Sequence, residues 1–172
     1  MPITNDWAMY KVLSEVMVGV IKKVSEKVTY DLSESILNNT YNYGGQNRYY
    51  VAGTKEPTYE FLAAFHFDEI VNNVNKVFSE LFYDWENMMH FKPEYAIHGT
   101  GSDDMREKLA EILNIDGETE WMGKPRKPYW DIFIEDMFTN GKLRTYFDQA
   151  MREEFSKIGA QILWFSDSLK RR

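Results

Sequence analysis

The chain has 172 residues, with 20 Lys and Arg against 27 Asp and Glu, a formal charge of −7. That length argues for one domain spanning residues 1–172, and 44% hydrophobic with 16% aromatic residues argues against a disordered chain. The acidic balance argues against sequence-specific nucleic-acid binding, no run of about 18 apolar residues signals a membrane span, and the absence of Cys excludes disulfides, thiolate metal sites and a cysteine nucleophile. The first residues lack the charged-then-apolar order of a signal peptide, so synthesis in a cytoplasm without signal-directed export is expected.

In chain order, residues 5–39 predict a long helix. Trp7, Tyr10, Leu13, Met17, Val20, Ile21, Val24, Val28, Leu32 and Ile36 recur three and four apart, a helical stripe. The β-branched stretch at residues 28–30 leaves open a kink or two helices. The Asn, Tyr and Gly residues of 38–45 end this helix, because Asn and Gly tolerate positive φ. Pro57 opens a short helical turn over residues 58–64. Residues 65–71 and 74–83 predict the two arms of a β-hairpin, with Asn72 and Asn73 as its turn. Residues 84–102 read as a long loop, a length that in a compact domain is usually functional or an assembly contact.

Residues 103–114 predict an amphipathic helix with Met105, Leu109, Ile112 and Leu113 on one face. Residues 123–128 form a linker-like loop, residues 129–140 a further helix, and Gly141 separates it from a last helix over 142–169. That last helix has Leu143, Phe147, Met151, Phe155, Ile158, Ile162 and Phe165 as its stripe. The outline is α+β: a long N-terminal helix, a small antiparallel sheet with a β-hairpin, and a helical C-terminal half.

Chemistry-bearing patterns are sparse. The three histidines, His66, His90 and His98, lack the i, i+4 spacing of a helical metal motif, so no metal or other cofactor is expected. The Gly-rich stretch at residues 98–104 lacks the Lys of a phosphate-binding loop and ends in Asp103 and Asp104, which would repel phosphate. Adjacent carboxylates such as Asp68 with Glu69, Glu135 with Asp136 and Glu153 with Glu154 point apart and read as solvated faces. No catalytic residue is assigned, and the chain is read as a non-enzyme.

Two features point instead to contact surfaces. Tyr41, Tyr43, Tyr49, Tyr50, Trp85, Met88, Met89 and Phe91 cluster in non-periodic segments, and such residue types are enriched at interface cores. They would serve equally to cover open ends of the core. Charge is also uneven: residues 1–57 hold six acids and six bases, residues 58–120 fourteen acids and four bases, and residues 121–172 seven acids and ten bases. Opposite patches of this kind would orient one subunit against the next, with Lys124, Arg126 and Lys127 as the basic loop. An ordinary solvated acidic face explains the asymmetry as simply.

The order of these pieces resembles the tail-completion, or neck, proteins of long-tailed bacteriophages, also known as head–tail joining or minor capsid proteins. The resemblance rests on the long first helix, residues 57–64 as a Leu-containing helical turn, and the hairpin arms 65–71 and 74–83. It extends over Leu81-Phe82-Tyr83-Asp84, the helix 103–114, residues 129–133 and residues 147–151. It implies a virion component assembled in the host cytoplasm. That component would form a homo-oligomeric ring with other neck and tail proteins as partners, without membrane contact or catalytic residues. A related virion ring, such as a tail terminator or stopper, fits the same outline. A small enzyme or ligand-binding domain using residues 84–104 is the reading from another class.

Overall fold

The computed structural model describes residues 6–41, 59–73, 76–88, 105–114, 117–118 and 125–160. It is an α+β fold. The helices are α1 (Asp6–Ile36), α2 (Glu60–Ala63), α3 (Met105–Leu113), α4 (Tyr129–Ile134) and α5 (Lys142–Lys157). The strands are β1 (Phe65–Phe67), β2 (Val71–Asn73), β3 (Lys76–Phe78), β4 (Leu81–Tyr83), β5 (Gly117–Glu118) and β6 (Pro125–Arg126). The described strands pair two by two, β1 with β4, β2 with β3 and β5 with β6.

The chain divides into two compact units. The first comprises Met1–Val28, Phe67–Glu80 and Met137–Arg172, and the second Thr29–His66 and Leu81–Asp136. Helix α1 is continuous through both. Its buried side chains are Val16, Val20, Val24 and Val28 in the first unit, then Leu32 and Ile36 in the second. Every step along this ridge is four residues, so at 3.6 residues per turn it drifts by about 40° a step and about 200° over its length. The stripe expected from the sequence ran on to Trp7 and Tyr10, but Trp7 is 65% exposed and Tyr10 is exposed as well. The periodicity there makes an amphipathic helix without supplying a neighbour to cover it.

At its C-terminal end α1 widens into a π turn, Leu37–Tyr41, where Asn39 Nδ2 donates back to Ser35 O at 2.9 Å. A second π turn, Glu135–Thr139, follows α4. Gly141, at φ 78°, then breaks the chain before α5. Helix α5 ends at Lys157, twelve residues before the end expected from its apolar stripe. The physical stop is Gly159 at φ 73°, whose N–H bonds Ser156 O at 3.0 Å while Ala160 N–H bonds Phe155 O at 3.0 Å. Residues 161–169 of the expected helix lie outside the described residues. Nor is the predicted stripe the buried one: Ala150 and Glu154 are the buried residues of α5, and Ile158 is exposed.

The expected hairpin is present but its turn is displaced. Val71, Asn72 and Asn73 pair with Phe78, Val77 and Lys76, so both asparagines belong to a strand and the connection falls at residues 74–75, outside the described residues. Asp68 N–H bonds Glu80 O at 2.9 Å, and Ser79 Oγ donates to Asp68 O at 2.6 Å. Two residues therefore lie between Asp68 and Val71 where one lies between Phe78 and Glu80. This is a one-residue bulge, which interrupts the arm. On β1, Phe65 is buried and His66 is exposed, the alternation expected of a strand.

Candidate functional site

The densest chemistry of the second unit is an aromatic cluster. Phe61 of α2 is fully buried and meets three rings edge-on: Phe65 at 5.4 Å, Tyr83 at 5.9 Å and Tyr129 at 5.6 Å between centroids. Phe65 and Tyr83, cross-strand neighbours on β1 and β4, stack at 4.9 Å. Trp130 continues the cluster, 6.4 Å from Phe65 and 5.4 Å from Phe133. Edge-to-face and offset contacts of this kind add about 0.5–1.5 kcal/mol a pair beyond area burial.

The polar tips within this cluster are satisfied internally. Tyr129 Oη donates to Ala110 O at 3.1 Å, and Tyr83 Oη donates to Arg106 O at 2.7 Å. Burial, and secondarily the neighbouring Tyr83, push the Tyr129 hydroxyl well above its ordinary value of 10, which keeps it a neutral donor. Ser35 Oγ donates to the Tyr129 carbonyl at 2.7 Å, tying α1 to α4 within this unit. Helix α4 begins after Pro128, which offers no side-chain cap. Asn114 takes that role from α3: its Oδ1 accepts from Trp130 N at 2.8 Å and from Asp131 N at 3.4 Å. Its Nδ2 donates to Asp131 Oδ1 at 3.2 Å.

Between these elements lies an open cleft of about 300 Å³. Phe65, Leu81, Tyr83, Ala110, Tyr129 and Trp130 form its apolar lining, with Glu111 and Asn114 on the α3 side. Among the described residues that line it there is no Lys or Arg. Its size is at the small end of ligand pockets, which run to about 300–1,000 Å³.

The residues singled out from sequence are dispersed. Trp85 lies in a 3-10 turn, Trp85–Asn87, within the stretch expected to be loop. It is half-buried, with the Arg106 guanidinium 5.4 Å from its ring centroid. Met88 is 2% exposed, so within this chain it belongs to the core, the alternative role open to its cluster. Its sulfur accepts from Tyr83 Oη at 3.7 Å and its carbonyl accepts from Arg106 Nη1 at 3.3 Å, so it anchors this turn to α3. Lys127 is exposed, just after β6, and its backbone N–H reaches Asn39 O at 3.5 Å. Arg126 sits in β6 opposite Gly117, and Tyr41 closes the first π turn. Tyr43, Tyr49, Tyr50, Met89, Phe91, Lys124, His90 and His98 lie outside the described residues.

In the first unit the sequence reading missed a buried carboxylate. Glu154, expected on a solvated face, is 7% exposed. It receives Lys157 Nζ at 2.7 and 2.8 Å and Lys23 Nζ at 3.0 Å, and Lys23 also pairs with Glu153. The ammonium groups, Lys157 before Lys23, hold the Glu154 carboxyl below its ordinary 4.5 despite burial, and hydrogen bonds to Glu153 and Glu154 raise Lys23 above 10.5. The carboxylate rests on Gly19, where any added Cβ would lie 2.6 Å from Glu154 Oε2. A lone Gly inside a strongly periodic helix was the available signal, since it costs about 1 kcal/mol relative to Ala unless close packing requires it.

Comparison with protein-family models, curated proteins and solved structures finds no match to any of the three. Among the described residues, no group of three or more His, Cys, Asp or Glu is placed to hold a metal ion, and no helix is long and apolar enough to cross a membrane.

Proposed function

We propose that the chain is a structural, non-enzymatic subunit of the neck of a tailed bacteriophage. It forms a homo-oligomeric ring in the virion that joins the head to the tail. The observation that carries this reading is the exposure of large aromatic side chains on helices. Trp7 and Tyr30 on α1 are 65% and 64% exposed, Tyr10 is exposed beside Trp7, and Phe138 after α4 is 66% exposed. Aromatic side chains of this size are enriched where subunits meet and carry much of the binding energy there. Helix α1 is about 46 Å long at 1.5 Å per residue, more than a small core needs to cover it, which suits a helix that also serves neighbouring subunits.

The reading is tested by sequencing the genes beside the chain's own and, where portal, connector and tail genes are found there, co-expressing the full chain with them. Electron microscopy should find the chain in rings at the head–tail junction. Replacing Trp7 and Tyr30 with Ser should leave a folded chain, by circular dichroism, that no longer enters those rings. Joined particles lacking the chain, or a double variant that joins as well as the parent, would overturn it.

A further inference from the structure

We propose that the apolar cleft of the second unit receives residues 161–172 of a second copy of the chain. This inference rests on the assembly reading above and names one contact through which copies meet.

The cleft itself defines what would fit. Its tyrosine hydroxyls and the Asn114 amide are already spent on Ala110 O, Arg106 O and the α4 N-terminus. The floor therefore offers apolar and aromatic surface, and favours an occupant that brings apolar side chains without polar groups needing partners. The rim is acidic. Among the described residues around it, Glu111 lines the cleft and is exposed, Glu107 on α3 and Asp131 beside Asn114 are exposed, and Lys108 on α3 is the exposed base set against these three acids. An occupant with positive charge beyond its apolar part is favoured electrostatically.

Residues 161–172 carry that pattern. Ile162-Leu163-Trp164-Phe165 is an apolar run, and Lys170-Arg171-Arg172 follows it with Asp167 as the sole acid of the segment. The segment begins just after Gly159 has stopped α5. Twelve residues, if extended, reach at most about 40 Å. The walls β1, β4 and α3 come from the stretch with fourteen acids and four bases, and the segment from the stretch with ten bases and seven acids. A chain holding both halves of a complementary contact associates head to tail, and such a heterologous contact closes into a ring when the rotation permits.

The test is a complementation experiment with full-length chains followed by sedimentation velocity. Trp164→Ser removes the apolar anchor and should weaken self-association at least tenfold. Ala110→Trp fills the cleft and should do the same, and Glu111→Lys, an exposed change that spares the core, should weaken it severalfold at low salt. Mixed in equal amounts, W164S and A110W chains should form a heterodimer and nothing larger, because one keeps an open cleft and the other an intact segment. A synthetic peptide of residues 161–172 should compete with the parent's association and should bind E111K more weakly than the parent. Association of the parent that survives both W164S and E111K shows another surface at work and overturns this contact while leaving the neck reading standing. Protection of the cleft independent of concentration assigns the segment to its own chain and overturns the proposal. A parent that stays monomeric yet joins heads to tails also overturns it, and one that is monomeric and absent from joined particles overturns the neck reading as well.

Discussion

The two units solve the same packing problem with different materials. In the second, Phe61 sits among Phe65, Tyr83 and Tyr129, both tyrosine hydroxyls donate to backbone carbonyls, and Asn114, just past α3, caps α4. In the first, the approach of α5 to α1 passes through Gly19, and what fills that notch is the Glu154 carboxylate held by Lys23 and Lys157. Ring packing depends on volume and is indifferent to salt. The clasp depends on charge state, and on a residue that must have no side chain. Perturbations that change volume should therefore separate from perturbations that change charge.

The largest effect is expected in the aromatic unit. Phe61→Ala removes a fully buried ring with three aromatic neighbours, and large-to-small changes of this kind cost about 3–5 kcal/mol. Urea unfolding monitored by tryptophan fluorescence should show a midpoint lowered accordingly, with the loss relative to the parent unchanged by added salt. A loss below about 1 kcal/mol would mean that the cluster collapses around the gap and does not organise this unit.

The next effect tests the clasp as a fitted pair. Gly19→Ala places a methyl group against Glu154 Oε2 and should cost about 1–3 kcal/mol, the usual range for overpacking. In a Glu154→Ala background the obstruction is gone. The same change should then be neutral or favourable by up to about 1 kcal/mol, from the better helix propensity of Ala. A double-mutant cycle on thermal or urea unfolding reads the difference directly. Equal costs in both backgrounds would show that Gly19 does not act through Glu154.

This pair also shows what the sequence could and could not reveal. The helices of the C-terminal half were legible because Gly141 and the spacing of apolar residues are local signals, and so was the pairing of residues 65–83 into a hairpin. The turn was misplaced because Asn72 and Asn73 are turn formers in isolation, while the bulge beyond Asp68 shifts the register to make them strand. Glu154 could not be recognised as buried, since its partner Lys23 is 131 residues away and an adjacent glutamate pair reads as solvated. Met88 follows no periodic pattern, so its sequence context leaves it equally a contact residue or a cover of the core, and in the structure Tyr83 and Arg106 bond its sulfur and its carbonyl. The cleft was invisible for the same reason: β1, β4, α3 and α4 each supply only one to three of its residues.

Returning to the second unit, Asn114→Ala removes the cap of α4 and should cost about 0.5–2 kcal/mol, with Asn114→Asp recovering most of it because a carboxylate accepts the same N–H groups. Hydrogen exchange at the amides of Trp130 and Asp131 should quicken in the Ala variant. Unaltered protection would show that Pro128 and the ring cluster fix α4 without the cap.

The smallest effect is the most discriminating, because acid acts through the clasp of the first unit while alkali acts on both units. Glu154 has its pKa lowered, first by Lys157 and then by Lys23, so its contribution is present above the ordinary carboxylate value of 4.5 and is lost as pH falls through the lower native value. Lys23 has its pKa raised by Glu153 and Glu154, so its contribution is complete below 10.5 and is lost as pH rises through the higher native value. Tyr129 is also raised, chiefly by burial, so the second unit loses stability above pH 10 as the hydroxyl of the unfolded chain ionises while the buried one stays neutral. Below pH 4.5 Glu154→Gln should therefore unfold with a shallower pH dependence than the parent. Tyr129→Phe should parallel the parent in acid and depart from it only in alkali. Added salt should reduce the acid difference for Glu154→Gln only partly, since its carboxylate is buried, whereas Lys23 and Glu153 are more open to solvent and more easily screened. Parallel acid limbs for Glu154→Gln and the parent would show that the clasp is held by shape at Gly19 and not by charge, and the contrast between the two units would reduce to one of packing alone.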